Sequence, residues 1–281
     1  MRASSDSRLL KAFRSRRILQ LGTAFACVLL FAGLFGPSLL VDSGPNQISR
    51  SLLEPPSTSF LFGTDELGRS VLTQIVYGVR TSLVVGVAAA ATAMTLGVVM
   101  GAVSGYFGGR VDTIVSRITE TFQVMPTFVL AAIVVAMAGT GMLKVIFIIA
   151  ILAWPQSARV MSAQVLKMKS MEYVDALRCL GVPEWKILWN EILPNAIPPV
   201  IPVGTLVIGQ AILLESALAF FGLTSPEAAS WGRLLNSGQQ YFYFAWWLTV
   251  FPGLAIVITV LTFNLVGDAL NQTFNPRSGV A

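Results

Sequence analysis

The sequence contains no histidine, only two cysteines and few charged residues. Without histidine, Ser-His-Asp and Cys-His catalysis and nearly all histidine-ligated metal sites are excluded. Cys27 lies in an apolar run and Cys179 in a charged segment, with no zinc or iron–sulfur spacing, so we expect two unpaired thiols. Charged residues form 12% of the chain, about half the share in ordinary soluble domains. A soluble enzyme, a disordered chain and a nucleic-acid-binding protein are therefore poor fits.

Apolar residues are correspondingly abundant, at 54%, and the mean hydropathy is +0.72. A transmembrane helix needs about 20 mostly apolar residues. The charge-free intervals predict an all-α polytopic membrane protein with six transmembrane helices, at residues 18–40, 81–105, 117–139, 143–163, 196–219 and 245–268. The fourth is the weakest, because its charge-free run is short unless Lys144 and Arg159 extend towards the headgroups.

The basic residues predict the orientation. With the N-terminus in the cytoplasm, only five of the 19 basic residues lie outside, namely Arg50, Arg69, Arg80, Lys144 and Arg233. The positive-inside rule then places both termini in the cytoplasm. The predicted organisation is a cytoplasmic basic tail at 1–17, a first transmembrane helix at 18–40, an external loop at 41–80 and a five-helix core at 81–281. The core includes a cytoplasmic element at about 164–195.

This cytoplasmic element has the pattern of two short helices separated by glycine. Val174, Leu177 and Leu180 form one apolar stripe, Gly181 ends the first helix and Pro183 can begin the second. The apolar face of the second helix comprises Trp185, Leu188, Trp189 and Ile192. The element could rest on the lipid surface, but glycine and proline at fixed distances favour a shape that fits a groove on a protein partner.

The same element carries a recognisable pattern. Glu172, Asp175-Ala176, Gly181 and Leu193-Pro194 resemble the "EAA…G…LP" signature of bacterial ABC importer permeases. Asp175 departs from the glutamate of that pattern, as Leu177 departs from its second alanine and Glu191 from its isoleucine. The resemblance implies that the ATPase-coupling residues are Glu172, Tyr173, Asp175, Ala176, Gly181, Leu193 and Pro194.

Three further regions resemble the "C"-type permease subunit of dipeptide, oligopeptide and nickel importers. They are FGTDELGRS at 62–70 with YGVRTSL at 77–83, ESALAFFGL at 215–223 with SWG at 230–232, and FNLVGD at 263–268 with NPR at 275–277. Together the four patterns cover nearly the whole chain after residue 60, in the order that the family has them.

The resemblance implies the type I ABC importer permease fold and a division of labour. A homologous second permease would complete the pathway, ATP-binding cassette subunits would bind ATP and magnesium on the cytoplasmic face, and an extracytoplasmic solute-binding protein would deliver the solute. The chain itself lacks the Gly-x-x-x-x-Gly-Lys-Ser/Thr loop that cradles nucleotide phosphates. We therefore expect a transport subunit of the bacterial inner membrane that holds no cofactor and is not itself an enzyme.

A few individual residues remain candidates for function. In the external loop, Asp65, Gly68 and Arg69 could contact the binding protein, form part of a gate, or contact only one another. Glu215 and Gln210 are possible pathway residues, since polar groups are costly within a membrane. Glu120 is better explained as an ion pair with a basic residue one turn earlier.

Proline and glycine residues within the predicted spans indicate where helices bend and where they pack closely together. Pro126 and Pro155 each remove a backbone hydrogen bond and should kink spans three and four. Gly97, Gly101 and Gly105 recur at four-residue spacing on span two, which predicts a close helix–helix contact.

Two alternatives compete with the peptide importer. Nickel and other small-solute importers share these motifs, but no histidine or cysteine cluster exists to hold nickel. A secondary transporter would need ion-coupling groups at mid-membrane and inverted repeats, whereas the acidic residues here cluster near span ends.

Overall fold

A computed structural model describes residues 17–39, 44–225 and 228–274. Residues 1–16 of the predicted basic tail and the NPR part of the last predicted motif, at 275–277, lie outside these ranges. The long helices are α1 (Arg17–Leu39), α2 (Val71–Phe107), α3 (Gly109–Val124), α4 (Thr127–Ala138), α5 (Met142–Lys169), α9 (Ile201–Phe220) and α11 (Trp247–Phe274). The short helices are α6 (Glu172–Cys179), α7 (Glu184–Lys186), α8 (Leu193–Ala196) and α10 (Trp231–Gly238). A π-helical segment, Ile187–Ile192, joins α7 to α8, and 3-10 turns occupy Pro198–Val200 and Gln239–Tyr241.

Five helices are long and apolar enough to cross a membrane, and α3 with α4 forms a sixth candidate that is sharply bent. The prediction for the fourth span is confirmed, because α5 runs for 28 residues and qualifies without help. Lys144, which interrupts the apolar run, turns its ammonium group back to donate to the carbonyl oxygen of Ala138 at 2.6 Å. Lys144, whose charge shortens the apolar run, therefore caps the C-terminus of the preceding helix, α4.

The third predicted span, at 117–139, corresponds to the bent pair of α3 and α4, and the predicted kink at Pro126 is confirmed. Helices α3 and α4 meet at Pro126 with a bend of 91°. Proline has no N–H to donate and disfavours helical geometry in the residue before it. Met125 is accordingly extended, with φ −81° and ψ 136°. Pro155 has a milder effect, since it lies inside α5 without ending that helix.

The second span starts earlier than predicted. Helix α2 begins at Val71 rather than near residue 81, and the Ser70 side chain caps it by accepting from the Thr73 amide. At 1.5 Å per residue, the 37 residues of α2 extend about 55 Å. It thus reaches from the loop at 44–70, here called the first loop, to the segment at 172–196, here called the hairpin.

Helix α2 makes its most extensive contacts with α5, and glycines create that interface. A Cβ atom on Gly97 would lie 2.5 Å from Ser157 Cβ, one on Gly101 2.3 Å from the Ala158 carbonyl oxygen, and one on Gly105 2.6 Å from the Ser162 carbonyl oxygen. These distances are too short for any larger side chain, so the prediction of a close-packing face is confirmed. Helices α1 and α9 also pack on α2, and α11 packs on α9 and α1.

Candidate functional site

The hairpin at one end of α2 turns at Gly181. Helix α6 ends there because Gly181 adopts φ +76°, a left-handed conformation that costs other residues strain. The amide of Val182 donates to the Leu177 carbonyl oxygen at 3.1 Å, and that of Gly181 donates to the Arg178 carbonyl oxygen at 2.9 Å. This pair of bonds is the Schellman motif. A side chain at Gly181 would meet no atom within 4 Å, so the turn projects into open space.

The hairpin buries only part of its predicted apolar faces. Val174 is fully buried and Leu177 partly so, but Leu180 is 79% exposed because it caps α6 and lies beyond its last turn. In the second half Leu188 and Ile192 are buried, together with Ile187. The predicted face also included two tryptophans, which are instead exposed: Trp185 and Trp189.

The π-helical segment explains why the predicted second face divides. In Ile187–Ile192 the hydrogen bonds join residues five apart, as in the bond from the Leu193 amide to the Leu188 carbonyl oxygen. Each turn is then wider than in an α-helix, so the spacing of three and four no longer predicts which side chains share a face. The result is a buried row against α2 and α5 and an exposed aromatic surface.

The predicted coupling residues lie mostly on this exposed side. Leu193 is half-buried, and the others are exposed: Glu172, Tyr173, Asp175, Ala176, Gly181 and Pro194. Their role in coupling stays a prediction. Their accessibility is the property that contact with a partner protein requires.

A polar network ties the hairpin to the end of α2. The buried Tyr106 donates its hydroxyl to the Glu184 carboxylate, and its carbonyl oxygen accepts from the ammonium group of Lys169. Arg178 contacts Asp175 at 2.9 Å and Glu184 at 3.3 Å. The Tyr106 hydrogen bond, assisted by the charge of Arg178, holds the pKa of the Glu184 carboxyl below its ordinary value. The orientation of the hairpin therefore depends on a side chain from the long helix.

The first loop, at the other end of α2, is organised around a buried aspartate. The Asp65 carboxylate is inaccessible and accepts from the Arg69 guanidinium at 2.7 Å, from the Gln74 amide at 2.8 Å and from the backbone amides of Leu67 and Arg69. The side chain of Arg69 is only 11% exposed. Of the alternatives open from the sequence, the structure shows these two residues in contact with each other. A contact with a binding protein, or a role in a gate, stays a prediction.

Gly68 is also buried within the first loop. It adopts φ +77°, and a Cβ atom there would lie 2.4 Å from the Ser49 carbonyl oxygen. Its own carbonyl oxygen accepts from the Ser49 amide at 3.0 Å and from the Ser49 hydroxyl at 2.7 Å. Glycine is therefore required by the fold of the loop, whatever else it contacts.

Two tryptophans connect the first loop and the start of α2 to later parts of the chain. Trp247 donates its indole N–H to the Thr64 carbonyl oxygen, and Trp231 donates to that of Ile75, each at 3.1 Å. The ring of Trp231 lies so close to Gly78 that a Cβ atom there would be 2.7 Å away. Motifs far apart in sequence, at 62–70, 77–83 and 230–232, therefore meet at this end of the bundle.

Glu215 and Gln210 occupy different environments. Glu215 is 2% exposed and accepts from the Ser230 hydroxyl at 2.9 Å, while its second oxygen lacks a partner among the described residues. It thus fastens α9 to the segment before α10. Gln210 is exposed and lines a cavity of about 620 Å³ between α3, α4, α5 and α9. The pathway role of both residues stays a prediction.

The predicted ion pair and the two predicted free thiols are present in the structure. Arg117 and Glu120 form an exposed ion pair at 3.2 Å, as predicted. Cys27 and Cys179 are free and exposed. In the part of the chain that the structure describes, no three metal-ligating side chains come together.

Sequence reasoning missed several residues that organise these sites. Tyr106 and Gln74 belong to none of the predicted motifs. Only the structure shows that Tyr106 contacts Glu184 and that Gln74 contacts Asp65. One signal was available for Tyr106, namely a tyrosine at the end of a long apolar run, where aromatic residues commonly mark the membrane interface.

Comparison with known proteins gives consistent matches. Residues 93–280 match the family described as the binding-protein-dependent transport system inner membrane component. The chain is 36% identical over 271 residues to the dipeptide transport system permease protein of Bacillus subtilis strain 168, covering 95% of this chain and 85% of that protein. It is 34% identical over 256 residues to the protein of the same name from Alkalihalophilus pseudofirmus, covering 91% and 83%. It is 33% identical over 268 residues to the oligopeptide transport system permease protein of Bacillus subtilis strain 168, covering 94% and 87%.

Proposed function

Because this chain belongs to the family of binding-protein-dependent transport system inner membrane components, we propose that it forms half of the membrane pathway of an importer for di- and oligopeptides. Relatives that are 33–36% identical to it are named as dipeptide and oligopeptide transport system permease proteins. The observation that carries the mechanism is the exposed hairpin, which is held on the long α2 helix and turns at Gly181.

The hairpin is the surface that meets the ATP-binding subunit in this proposal. Its outer side carries Leu180, 79% exposed, and Trp185, 58% exposed, beside the open turn at Gly181. Large apolar side chains clustered on an accessible turn are typical of an interface core, where aromatic residues contribute most of the binding energy. The buried row Ile187, Leu188 and Ile192 packs beneath them and transmits displacement to the bundle.

The rest of the assembly follows from the same proposal. The hairpin and both termini lie in the cytoplasm, as the distribution of basic residues favours. Separate ATP-binding cassette subunits bind ATP and magnesium there, and a homologous second permease completes the pathway. A solute-binding protein delivers peptides at the opposite face, where the first loop lies. Closure of the ATP-binding subunits moves the hairpin, and the hairpin moves α2 and α5.

The decisive experiment compares two glycines in the same backbone setting. Gly181 and Gly222 both end a helix in a Schellman motif, with φ +76° and +73°, and neither would place a Cβ atom within 4 Å of another atom. Gly181→Trp and Gly222→Trp therefore impose similar backbone strain, on the order of 1–2 kcal/mol. Only the first introduces bulk into the proposed interface.

We expect Gly181→Trp to lose the ATP-binding subunit during affinity purification and to abolish ATP-driven peptide uptake in proteoliposomes. Gly222→Trp should retain the subunit at the wild-type ratio. Wild-type uptake by Gly181→Trp would refute the docking of this hairpin. If the wild-type complex hydrolyses ATP but takes up no peptide, the substrate class is wrong and the coupling surface can still be correct.

A further inference from the structure

The cavity at Gln210 has the dimensions of a ligand site. It lies where the end of α3 and the start of α4 meet α5 and α9, and its volume is about 620 Å³, within the roughly 300–1,000 Å³ of known small-molecule sites. The chain bends by 91° at Pro126, and residues on both sides of this bend, Gln123 and Thr127, line the cavity. Gln210 is near the middle of α9 and Gln156 near the middle of α5, so the cavity lies at mid-bundle height.

Three glutamine side chains from three helices converge on this cavity. Gln123 comes from α3, Gln156 from α5 and Gln210 from α9, and no Asp, Glu, Lys or Arg lines the walls. Within residues 17–39, 44–225 and 228–274, none of these three amides has a hydrogen-bonding partner. Gln123 and Gln210 are exposed and Gln156 is half-buried, so the three amides are accessible and free to bind a polar occupant.

The chemistry of the glutamines matches a peptide main chain. Each carboxamide offers one acceptor oxygen and two N–H donors, and a peptide presents a carbonyl and an N–H at every residue. Three such groups around an uncharged space can bind main-chain amides without discriminating between side chains. Apolar walls that include Phe122, Phe128 and Leu214 provide room for side chains of varied shape.

Other occupants fit less well. Lipid tails form no hydrogen bonds and would leave the amides unpaired. A helix of a second permease has its own backbone groups already paired internally, so it offers side chains alone. A short peptide in extended conformation carries free main-chain donors and acceptors that match the three amides, and it fits the volume of the cavity.

We propose that Gln123, Gln156 and Gln210 form a peptide-binding subsite that holds the main chain of a peptide in transit, independently of its side chains. The inference rests on the proposed function and names the side chains in the pathway that bind the peptide. The subsite carries no charge, so it is suited to release peptides of differing composition equally readily.

The test replaces the amides with leucine in the complete importer. The variants are Gln123→Leu, Gln156→Leu, Gln210→Leu and the triple combination, with Gln164→Leu as control, since Gln164 is on α5 but does not line the cavity. Uptake of radiolabelled dialanine, trialanine and tetraalanine is measured in proteoliposomes with the binding protein and ATP. ATP hydrolysis stimulated by the loaded binding protein is measured in parallel, because it reports folding and assembly without requiring the subsite.

We expect the triple variant to lose about tenfold in uptake of all three peptides, as for two lost hydrogen bonds of ordinary strength. Its stimulated ATP hydrolysis should remain within about twofold of wild type, and Gln164→Leu should be unchanged in both. Triple-variant uptake within about twofold of wild type would overturn the subsite while leaving the importer function intact. A wild-type complex that takes up none of the peptides would overturn both.

A second measurement identifies the occupant. Gln210→Cys is introduced with Cys27→Ser and Cys179→Ser, which remove the two native thiols. Modification of the new thiol by a small maleimide should be slowed several-fold by saturating trialanine during turnover. Unchanged modification in the presence of peptide, or protection by the second permease alone, would overturn the proposal in favour of a helix–helix contact.

Discussion

The two ends of α2 each carry an arginine paired with an aspartate, but in opposite surroundings. At the first loop, Asp65 is inaccessible and Arg69 nearly so, and the carboxylate accepts four hydrogen bonds. At the hairpin, Asp175 is 67% exposed and Arg178 is 31% exposed. The same chemical pair is therefore enclosed within a loop at one end of α2 and accessible to solvent at the other.

The difference follows from desolvation. A buried charge pair costs free energy to remove from water, and losing one member strands the other. An exposed pair exchanges contacts with water for contacts with each other and contributes little to stability. Mutations at the first loop should therefore act on folding, and mutations at the hairpin should act on coupling.

The largest effect is expected for Asp65→Asn, which leaves Arg69 charged and unpaired in a buried position. We expect a loss of about 3–5 kcal/mol, seen as a large fall in the thermal unfolding midpoint of the detergent-solubilised complex. Glu120→Gln, which breaks the exposed pair with Arg117, provides the control and should change little. A small effect of Asp65→Asn would show that the first loop is held by its backbone contacts alone.

The next effect concerns α2 as the connection between the two ends. Gly101→Ala places a Cβ atom 2.3 Å from the Ala158 carbonyl oxygen and must push α5 away. Overpacking of this kind costs about 1–3 kcal/mol, which thermal unfolding would detect. Gly253→Ala is the control, because no atom lies within 4 Å of its Cβ position and helix propensity alone should then favour alanine. If both variants behave alike, close contact along α2 is not required.

The sequence predicted the helical class, the approximate spans and the glycine face, because these depend on composition and on the helical period. It failed where a local feature replaced that period. A kink was predicted at Pro126 but not its size of 91°, and the π-helical turn at Ile187–Ile192 moved Trp185 and Trp189 out of the predicted apolar face.

Other parts of the candidate sites could not be predicted because they depend on contacts distant in sequence. Asp65 and Gln74 meet across a loop and a helix start, and Tyr106 meets Glu184 across 78 positions. Gln123, Gln156 and Gln210 line one cavity although they come from three different helices. A single sequence contains no signal for such pairs.

A smaller effect is expected for Tyr106→Phe, which keeps the buried ring and removes the hydroxyl that donates to Glu184. One hydrogen bond to a charged group contributes about 1.5–3 kcal/mol when buried and less at this partly exposed site. The stability loss should be modest, while ATP hydrolysis becomes less responsive to the loaded binding protein. Tyr243→Phe, at a residue 97% exposed, should change neither. Unaltered stimulation in Tyr106→Phe would mean that the hairpin does not signal through α2.

Acidification should weaken the same contact. Since the Tyr106 hydrogen bond and Arg178 lower the pKa of Glu184 in the folded protein, its contribution to stability is present above the ordinary carboxyl pKa. That contribution is lost as the pH falls through the lowered value. The difference in thermal midpoint between wild type and Glu184→Gln should therefore be constant from pH 7 to about pH 5 and shrink below about pH 4. A difference that grows on acidification would contradict this assignment.

The smallest effect on stability is expected for Asp175→Asn, the hairpin counterpart of Asp65→Asn. Its partner Arg178 keeps Glu184 at 3.3 Å and has access to water, so the loss should be below about 0.5 kcal/mol. Because Asp175 is exposed beside the proposed interface, the variant should instead weaken retention of the ATP-binding subunit, measured as subunit ratio after washing at increasing salt. If Asp175→Asn destabilised the fold as strongly as Asp65→Asn, the distinction between the two ends of α2 would be wrong. Solvent exposure would then not decide which ion pair stabilises the structure and which is available to a partner.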